Sequence, residues 1–239
     1  MADALVSWSA HAPNLPEHAD NPIHTDEGAR AAGYPAAVVA GTTVYALMTH
    51  PAAAAWGDAW IGRGGCEVRF RGPVLADDGV ECRVAPGADG RWTVEAVARD
   101  EVTSTLEVWL DADVPEARAG EQLPSIELML DATWAEYGTR SGDDLATYTE
   151  RGIAHPAVWP SLGNRVFKEH LVTGPWIHTR SRIAHAAVVA RDTPIRIDSV
   201  VVDRFDTRAG RRAVVDCHIS DRDGRVLCVI EHEAIIELF

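Results

Sequence analysis

The chain of 239 residues is short of lysine, cysteine and positive charge, and each shortage excludes a class of protein. Lys168 is the one lysine, and 22 basic residues against 36 acidic residues give a formal net charge of −14. Nucleic-acid binders neutralise phosphates with lysine and arginine, and anionic membranes attract basic segments. We therefore expect neither a nucleic acid nor a membrane as a partner.

The four cysteines are scattered and contain no Cys-x-x-Cys pair. This pattern is typical of neither a disulfide framework nor a zinc site, so we expect reduced thiols and no metal or other cofactor. Cys66 has no histidine close to it in sequence, which favours an inert thiol. The N-terminus lacks the basic and apolar regions of a signal peptide. A cytoplasmic location is the resulting prediction.

Residues 31–57 contain no aspartate, glutamate, lysine or arginine. A run of this length raises the question of a membrane-spanning helix, but Gly33 and Pro51 interrupt it. The pattern therefore predicts a helix from about Gly41 to His50, buried on all sides within a folded core. A shorter helix is expected before it, with Thr25 as its N-cap.

Period-2 alternation follows this helix, with Asp-Gly turn signals at 78–79 and 89–90, and predicts an antiparallel sheet. A second helix after Pro160 and further strands from 176 to 237 repeat the layout about 115 to 120 positions later, which indicates an internal duplication. We predict an α+β fold in which each half wraps a sheet around a long helix. The expected divisions are residues 1–112, a connector at 113–150, and residues 151–239.

The strongest motif is Asn21-Pro22-Ile23-His24, followed by a short helix and by Gly41 at the entry of the long helix. It resembles the signature of the MaoC-like (R)-specific enoyl-CoA hydratase/dehydratase family of hotdog proteins. The motif match covers about residues 15–48, and the repeated layout extends a weaker resemblance over the chain. The resemblance implies a double hotdog, with two tandem hotdog folds and one motif-bearing site.

The resemblance also implies roles for individual residues. His24 would act as acid and base, and the N–H of Gly41 would receive the thioester oxygen. Ala19 stands where the family has its catalytic aspartate, so Asp20 or Glu17 would have to supply the second carboxylate. The residues expected to bind substrate are Asn21, Tyr34, Thr42 and Trp60, while the structural alternatives are a turn-capping role for Asn21 and a core position for Trp60.

The leading hypothesis is a hydratase or dehydratase of acyl thioesters carried by CoA or a carrier protein. One alternative is a diverged hotdog enzyme: an isomerase, an eliminating lyase of specialised metabolism, or a thioesterase. Another is a catalytically silent acyl-binding or partner subunit. CoA phosphates would need local arginines in so acidic a chain, and the candidates are Arg63, Arg69 and Arg71. A homodimer stays open.

Overall fold

The computed structural model describes residues 3–239. Its helices are α1 (Asp26–Ala31), α2 (Gly41–Trp56), α3 (Asp58–Ile61), α4 (Thr133–Arg140), α5 (Thr147–Arg151) and α6 (Val158–His170). Its strands are β1 (Trp8–His11), β2 (Gly65–Phe70), β3 (Gly79–Pro86), β4 (Trp92–Ala98), β5 (Glu101–Trp109), β6 (Glu121–Gln122), β7 (Ile126–Leu130), β8 (Ile177–His185), β9 (Thr193–Thr207), β10 (Gly210–Asp221) and β11 (Val226–Leu238). The elements confirm the predicted α+β class.

The eleven strands form one antiparallel sheet in the order β1-β3-β4-β5-β2-β8-β11-β10-β9-β6, and β7 also pairs with β9. The pairing of β2 with β8 joins the first half of the chain to the second. Burial alternates along β3, as the period-2 pattern predicts, whereas β10 and β11 contain runs of four or five consecutive buried residues. The two halves therefore share a continuous sheet.

Helix α2 is longer than predicted, since it continues past His50 and through Pro51 to Trp56. Twelve of its residues are buried, which explains why the segment carries no charge. It packs against β3 and β4, while α6 packs against β8 and β11. Thr25 caps α1 as expected, because its hydroxyl accepts the N–H of Gly28 at 3.1 Å. No helix among residues 3–239 is long and apolar enough to cross a membrane.

The segment expected to be a connector has its own structure and reaches both halves. Residues 113–150 contain β6 and β7, which pair with β9, and the helices α4 and α5. From α4, Tyr137 extends to the N-terminal end of α2, where its hydroxyl contacts Thr42. The division at 112 and 150 remains a prediction, but this middle segment does more than join the halves.

Asp143 ties this middle segment to both halves. One carboxylate oxygen lies 2.8 Å from Nδ1 of His50 in α2, and the other lies 3.1 Å from Nε2 of His155, just before α6. Burial alone would raise the pKa of Asp143, but the hydrogen bonds from His155 and His50 outweigh it. They hold the pKa of the carboxyl well below its ordinary value of 3.8.

We expect Asp143→Asn to lower the free energy of unfolding by about 3 kcal/mol, because it breaks a buried charged network. Since the folded-state pKa is depressed, the carboxylate stabilises the fold above pH 3.8 and this contribution disappears as the pH falls through the folded-state value. Urea unfolding followed by tryptophan fluorescence measures both effects.

The matched control is Asp144→Asn, because the Asp144 side chain is 79% exposed and lies 3.5 Å from the same histidine. It should change stability by less than about 0.5 kcal/mol. Equal losses in the two variants would show that Asp143 has no special structural role.

Candidate active site

A cavity of about 1260 Å³ lies between the two halves. The first half lines it with His24, Gly41 and Phe70, and the second half lines it with Asn164 and His178. The motif loop, the entry of α2 and one side of α6 therefore share a single cavity. The site depends on both halves of the chain.

One ring nitrogen of His24 is fixed by a hydrogen bond, and the other has no hydrogen-bond partner within residues 3–239. Its Nδ1 lies 2.6 Å from the carbonyl oxygen of Val38, and Asn14 donates to the carbonyl oxygen of His24, also at 2.6 Å. Because a carbonyl can only accept, the proton sits on Nδ1 and Nε2 keeps its lone pair. Burial lowers the pKa of His24 below 6.5, although the bond to Val38 and the charge of Asp20 act in the opposite direction.

The entry of α2 supplies hydrogen-bond donors. Gly41 is the first residue of the helix, and its N–H has no backbone acceptor among the bonds of the described chain. A Cβ at this position would lie 3.2 Å from the Phe70 ring, so glycine lets the ring pack directly against the helix entry. The positive end of the helix dipole adds to the donor's attraction for an oxyanion.

His18 and Tyr137 form a second polar group beside His24. The two imidazole rings, of His18 and His24, lie 5.9 Å apart edge to face. Nε2 of His18 lies 3.1 Å from the hydroxyl of Tyr137, which donates to the hydroxyl of Thr42 at 3.1 Å. Burial and the neighbouring His24 lower the pKa of His18 from 6.5 to about 4. Both rings are therefore neutral at neutral pH.

The carboxylates nearest the motif are engaged in ion pairs. Asp20 pairs with Lys168 of α6, and Glu17 pairs with Arg140 of α4. Asp20 is 56% exposed, so the expectation that it acts as the base partner of His24 is not matched by its main contact. The 3₁₀ turns at Pro16–His18 and Pro22–His24 direct Asp20 toward α6 and present His18 and His24 to the cavity.

The predicted substrate-binding residues fall into two groups. Asn21, Tyr34 and Thr42 line the cavity. Trp60 does not, and its predicted role is wrong: it is fully buried in the core and its indole N–H lies 3.3 Å from the carbonyl of Gly65. Ala19, at the aspartate position of the motif, is exposed and is not among the lining residues.

Three functional candidates have weak signals in the sequence. His18 stood outside the motif consensus, and Tyr137 lies in a segment without a motif. His232 belongs to a Glu-His-Glu run typical of a solvated strand face, yet it is completely buried. The residues of β11 on both sides of this run are mostly buried, and the apolar sequence around Glu231-His232-Glu233 is the signal that could have identified His232 as buried.

Part of the first half of the chain matches a known protein family. Residues 18–106 match the family model described as MaoC like domain, and the match begins at His18 and includes His24 and Gly41. This segment of the chain is therefore similar to MaoC-like domains. A comparison with curated proteins finds no match.

Solved structures show the fold of the whole chain. A conserved hypothetical protein from Mycobacterium tuberculosis with a double hotdog fold superposes with a TM-score of 0.66 at 10% identity, covering 98% of this chain and 96% of that one. A MaoC-like dehydratase gives 0.60 at 13% identity, with 97% and 98% coverage. The dehydratase domain of PpsC from Mycobacterium tuberculosis, in complex with C12:1-CoA, gives 0.55 at 13% identity, with 98% coverage of both chains. The chain is a double hotdog.

The geometry predicts the protonation state of both histidines at neutral pH. Long-range ¹H–¹⁵N correlation spectra should show His24 neutral with its proton on Nδ1, because Val38 offers only an acceptor. His18 should titrate near pH 4. Assignment uses His18→Gln and His24→Asn. A proton on Nε2 of His24, or titration of His24 above pH 6.5, would contradict the hydrogen bond and the effect of burial.

Proposed function

We propose that this protein adds water to, or eliminates it from, an acyl thioester, with His24 as the acid and base and the Gly41 N–H as the oxyanion donor. The observation that carries the proposal is the 2.6 Å hydrogen bond from His24 to Val38. Val38 lies three residues before Gly41, so the base and the donor are fixed to the same short segment. Such preorganisation is what lowers the barrier to enolate formation.

In the dehydration direction, Nε2 of His24 removes the α-proton of a 3-hydroxyacyl thioester. The electron pair of the C–H bond moves toward the thioester oxygen, which the Gly41 N–H stabilises. The C–O bond at the β-carbon then breaks, and the imidazolium returns its proton to the departing hydroxyl. The products are the enoyl thioester, water and neutral His24, and hydration is the same sequence reversed.

His18 lies beside His24, with the two ring centroids 5.9 Å apart, and we propose that it takes the role of the missing carboxylate. Its Nε2 faces the hydroxyl of Tyr137, and the hydroxyl of Tyr137 donates to Thr42. In that arrangement Nε2–H of His18 donates to Tyr137, which leaves Nδ1 as an acceptor. We propose that this nitrogen holds the water molecule or the β-hydroxyl group. A neutral imidazole can orient a water without adding a negative charge to the cavity.

The position of Arg71 favours a substrate whose acyl group is attached to a phosphate-bearing carrier. Arg63 and Arg69 are exposed and form ion pairs with Asp111 and Glu67, so their charges are already compensated. Arg71 is exposed, lines the cavity and forms no ion pair within residues 3–239. One unpaired guanidinium at the cavity is suited to a CoA or phosphopantetheine phosphate, despite the net charge of −14. A structural relative binds C12:1-CoA.

The test is hydration of crotonyl-CoA and longer enoyl thioesters by the purified protein, followed by the loss of enoyl absorbance. His24→Asn should lower kcat/KM by about 10²–10⁴-fold, because asparagine can keep the hydrogen bond to Val38 but cannot accept the proton. Asp20→Asn should change it by less than about fivefold, because an exposed ion pair contributes little. Circular dichroism establishes that both variants are folded.

Equal losses in the two variants would refute the assignment of His24 as the base. Binding of acyl thioesters without turnover would favour a silent acyl-binding subunit, and release of free CoA would favour a thioesterase. The same assay separates these alternatives because hydration consumes the double bond and leaves the thioester intact.

The pH dependence follows from the lowered pKa of His24. The base must be neutral, so activity should stay level between about pH 7 and 8.5 and fall only below pH 6.5, the ordinary value for histidine. The pH profile of kcat/KM measures this in the free enzyme. An acidic limb centred above pH 6.5 would mean that burial does not control the ionisation of the base.

A further inference from the structure

Four polar side chains form a continuous chain of hydrogen bonds along the second-half wall of the cavity. Nε2 of His178 lies 2.8 Å from the hydroxyl of Ser181, and that hydroxyl lies 2.8 Å from Nδ1 of His232. Nε2 of His232 lies 3.0 Å from Oδ1 of Asn164. The strands β8 and β11 supply the first three residues, and α6 supplies the fourth. None of them takes part in the chemistry proposed for His24.

These four hydrogen-bonded side chains are tightly packed within the fold. Ser181 and His232 are completely buried, and the rings of His178 and His232 stack with centroids 4.1 Å apart. Gly163 lies inside α6, where alanine would be favoured by about 1 kcal/mol. A Cβ there would lie 2.6 Å from Nδ1 of His232, so the missing side chain makes room for the ring.

The hydrogen bonds have one direction. Burial lowers the pKa of His178 to about 3 and that of His232 well below 6.5, so both rings are neutral. Oδ1 of Asn164 can only accept, and therefore Nε2 of His232 carries the proton. Nδ1 of His232 then accepts the hydroxyl proton of Ser181.

The amide nitrogen of Asn164 remains as an unused donor. Its oxygen is committed to His232, so Nδ2 must point elsewhere. Nδ2 has no hydrogen-bond partner within residues 3–239, and Asn164 lines the cavity. The hydrogen bond from His232 to Oδ1 fixes the orientation of the Asn164 amide. Two N–H bonds are therefore presented to whatever fills this part of the cavity.

The wall lies close to the proposed oxyanion site. The Phe70 ring faces Gly41, at 3.2 Å from where a Cβ would be, and its centroid is 4.8 Å from that of His178. One aromatic ring therefore separates the thioester position from the hydrogen-bonded chain. An acyl group that extends along Phe70 reaches the wall that carries Asn164.

We infer that Asn164 is a specificity-determining residue that selects acyl chains bearing a neutral oxygen, a hydroxyl or a carbonyl, beyond the reacting carbons. The inference rests on the proposed function, since it places the acyl group along this wall. A plain alkyl chain would bury the amide N–H groups without a partner, whereas an oxygen atom would accept from them. Arg165 and Lys168 are already paired with Glu169 and Asp20, which favours a neutral oxygen over a carboxylate.

The test measures binding, so it does not depend on turnover. The probes are pantetheine amides of hexanoic, 5-hydroxyhexanoic and 6-hydroxyhexanoic acid, in which nitrogen replaces the thioester sulfur. Calorimetry should show that the protein binds at least one hydroxylated probe about tenfold more tightly than the hexanoyl probe. Asn164→Leu keeps a side chain of similar size without donors and should abolish that preference.

Ser161→Ala is the matched control, because Ser161 lines the same cavity on the same helix but donates its hydroxyl to the carbonyl of Ala157. It should leave the preference unchanged. An unchanged preference in Asn164→Leu, no preference in the unmodified protein, or no binding of any probe would each overturn the inference. Failure of the proposed function would appear separately, as no hydration of crotonyl-CoA by the unmodified protein.

Discussion

The hydrogen bond from His24 to the carbonyl oxygen of Val38 is the constraint on which the site depends. It selects the tautomer, turns Nε2 toward the cavity and joins the motif loop to the segment that enters α2. That segment is held in turn, since the N–H of Val38 bonds to the carbonyl of Ile23 and the N–H of Val39 to that of Val74. A proton acceptor on one loop and a donor on a helix entry thus keep a fixed relation without any direct contact between them. The short motif Asn21-Pro22-Ile23-His24 therefore also fixes the position of the segment that leads into α2.

The middle segment and the second half of the chain complete the walls of the cavity but do not contain a second copy of the motif. The second half lacks the motif but contributes α6 and the start of β8, and the middle segment contributes Tyr137 through α4. Asp143 fixes that middle segment to α2 and to the residues before α6. Tyr137 therefore reaches Thr42 from a segment anchored at its far end. A duplicated fold allows this division, because one copy can keep the helix-entry donor while the other is free to vary as a wall.

Local sequence signals predicted much of this structure, and contacts between distant residues explain most of what they missed. Thr25 and the uncharged run predicted α1 and the start of α2, and alternation with Asp-Gly turns predicted the strands, because caps, burial and pleating act over a few residues. Tyr137 contacts Thr42 across 95 positions of the chain, and His232 contacts Asn164 across 68. Contacts at such separations produce no periodic pattern in the sequence, so neither pair could be predicted from it. Trp60 was misassigned because an aromatic side chain in the core and one in a pocket wall have the same sequence signature. The pairing of Asp20 with Lys168, 148 positions away, is a further contact that the local sequence does not reveal.

His18 and His24 are neutral at neutral pH because burial lowers their pKa values. Desolvation lowers the proton affinity of both His18 and His24, so the base is always available at neutral pH but is a weak one. In the proposed mechanism, a weak base leaves more of the barrier to proton removal to the stabilisation of the enolate oxygen. Burial would then strengthen a hydrogen bond from the Gly41 N–H to that oxygen. Because Glu17 and Asp20 are paired with Arg140 and Lys168, no free carboxylate of the motif loop opposes the developing negative charge. In the proposed mechanism, alanine at position 19 and stabilisation of the oxyanion by the helix entry therefore belong to the same electrostatic arrangement.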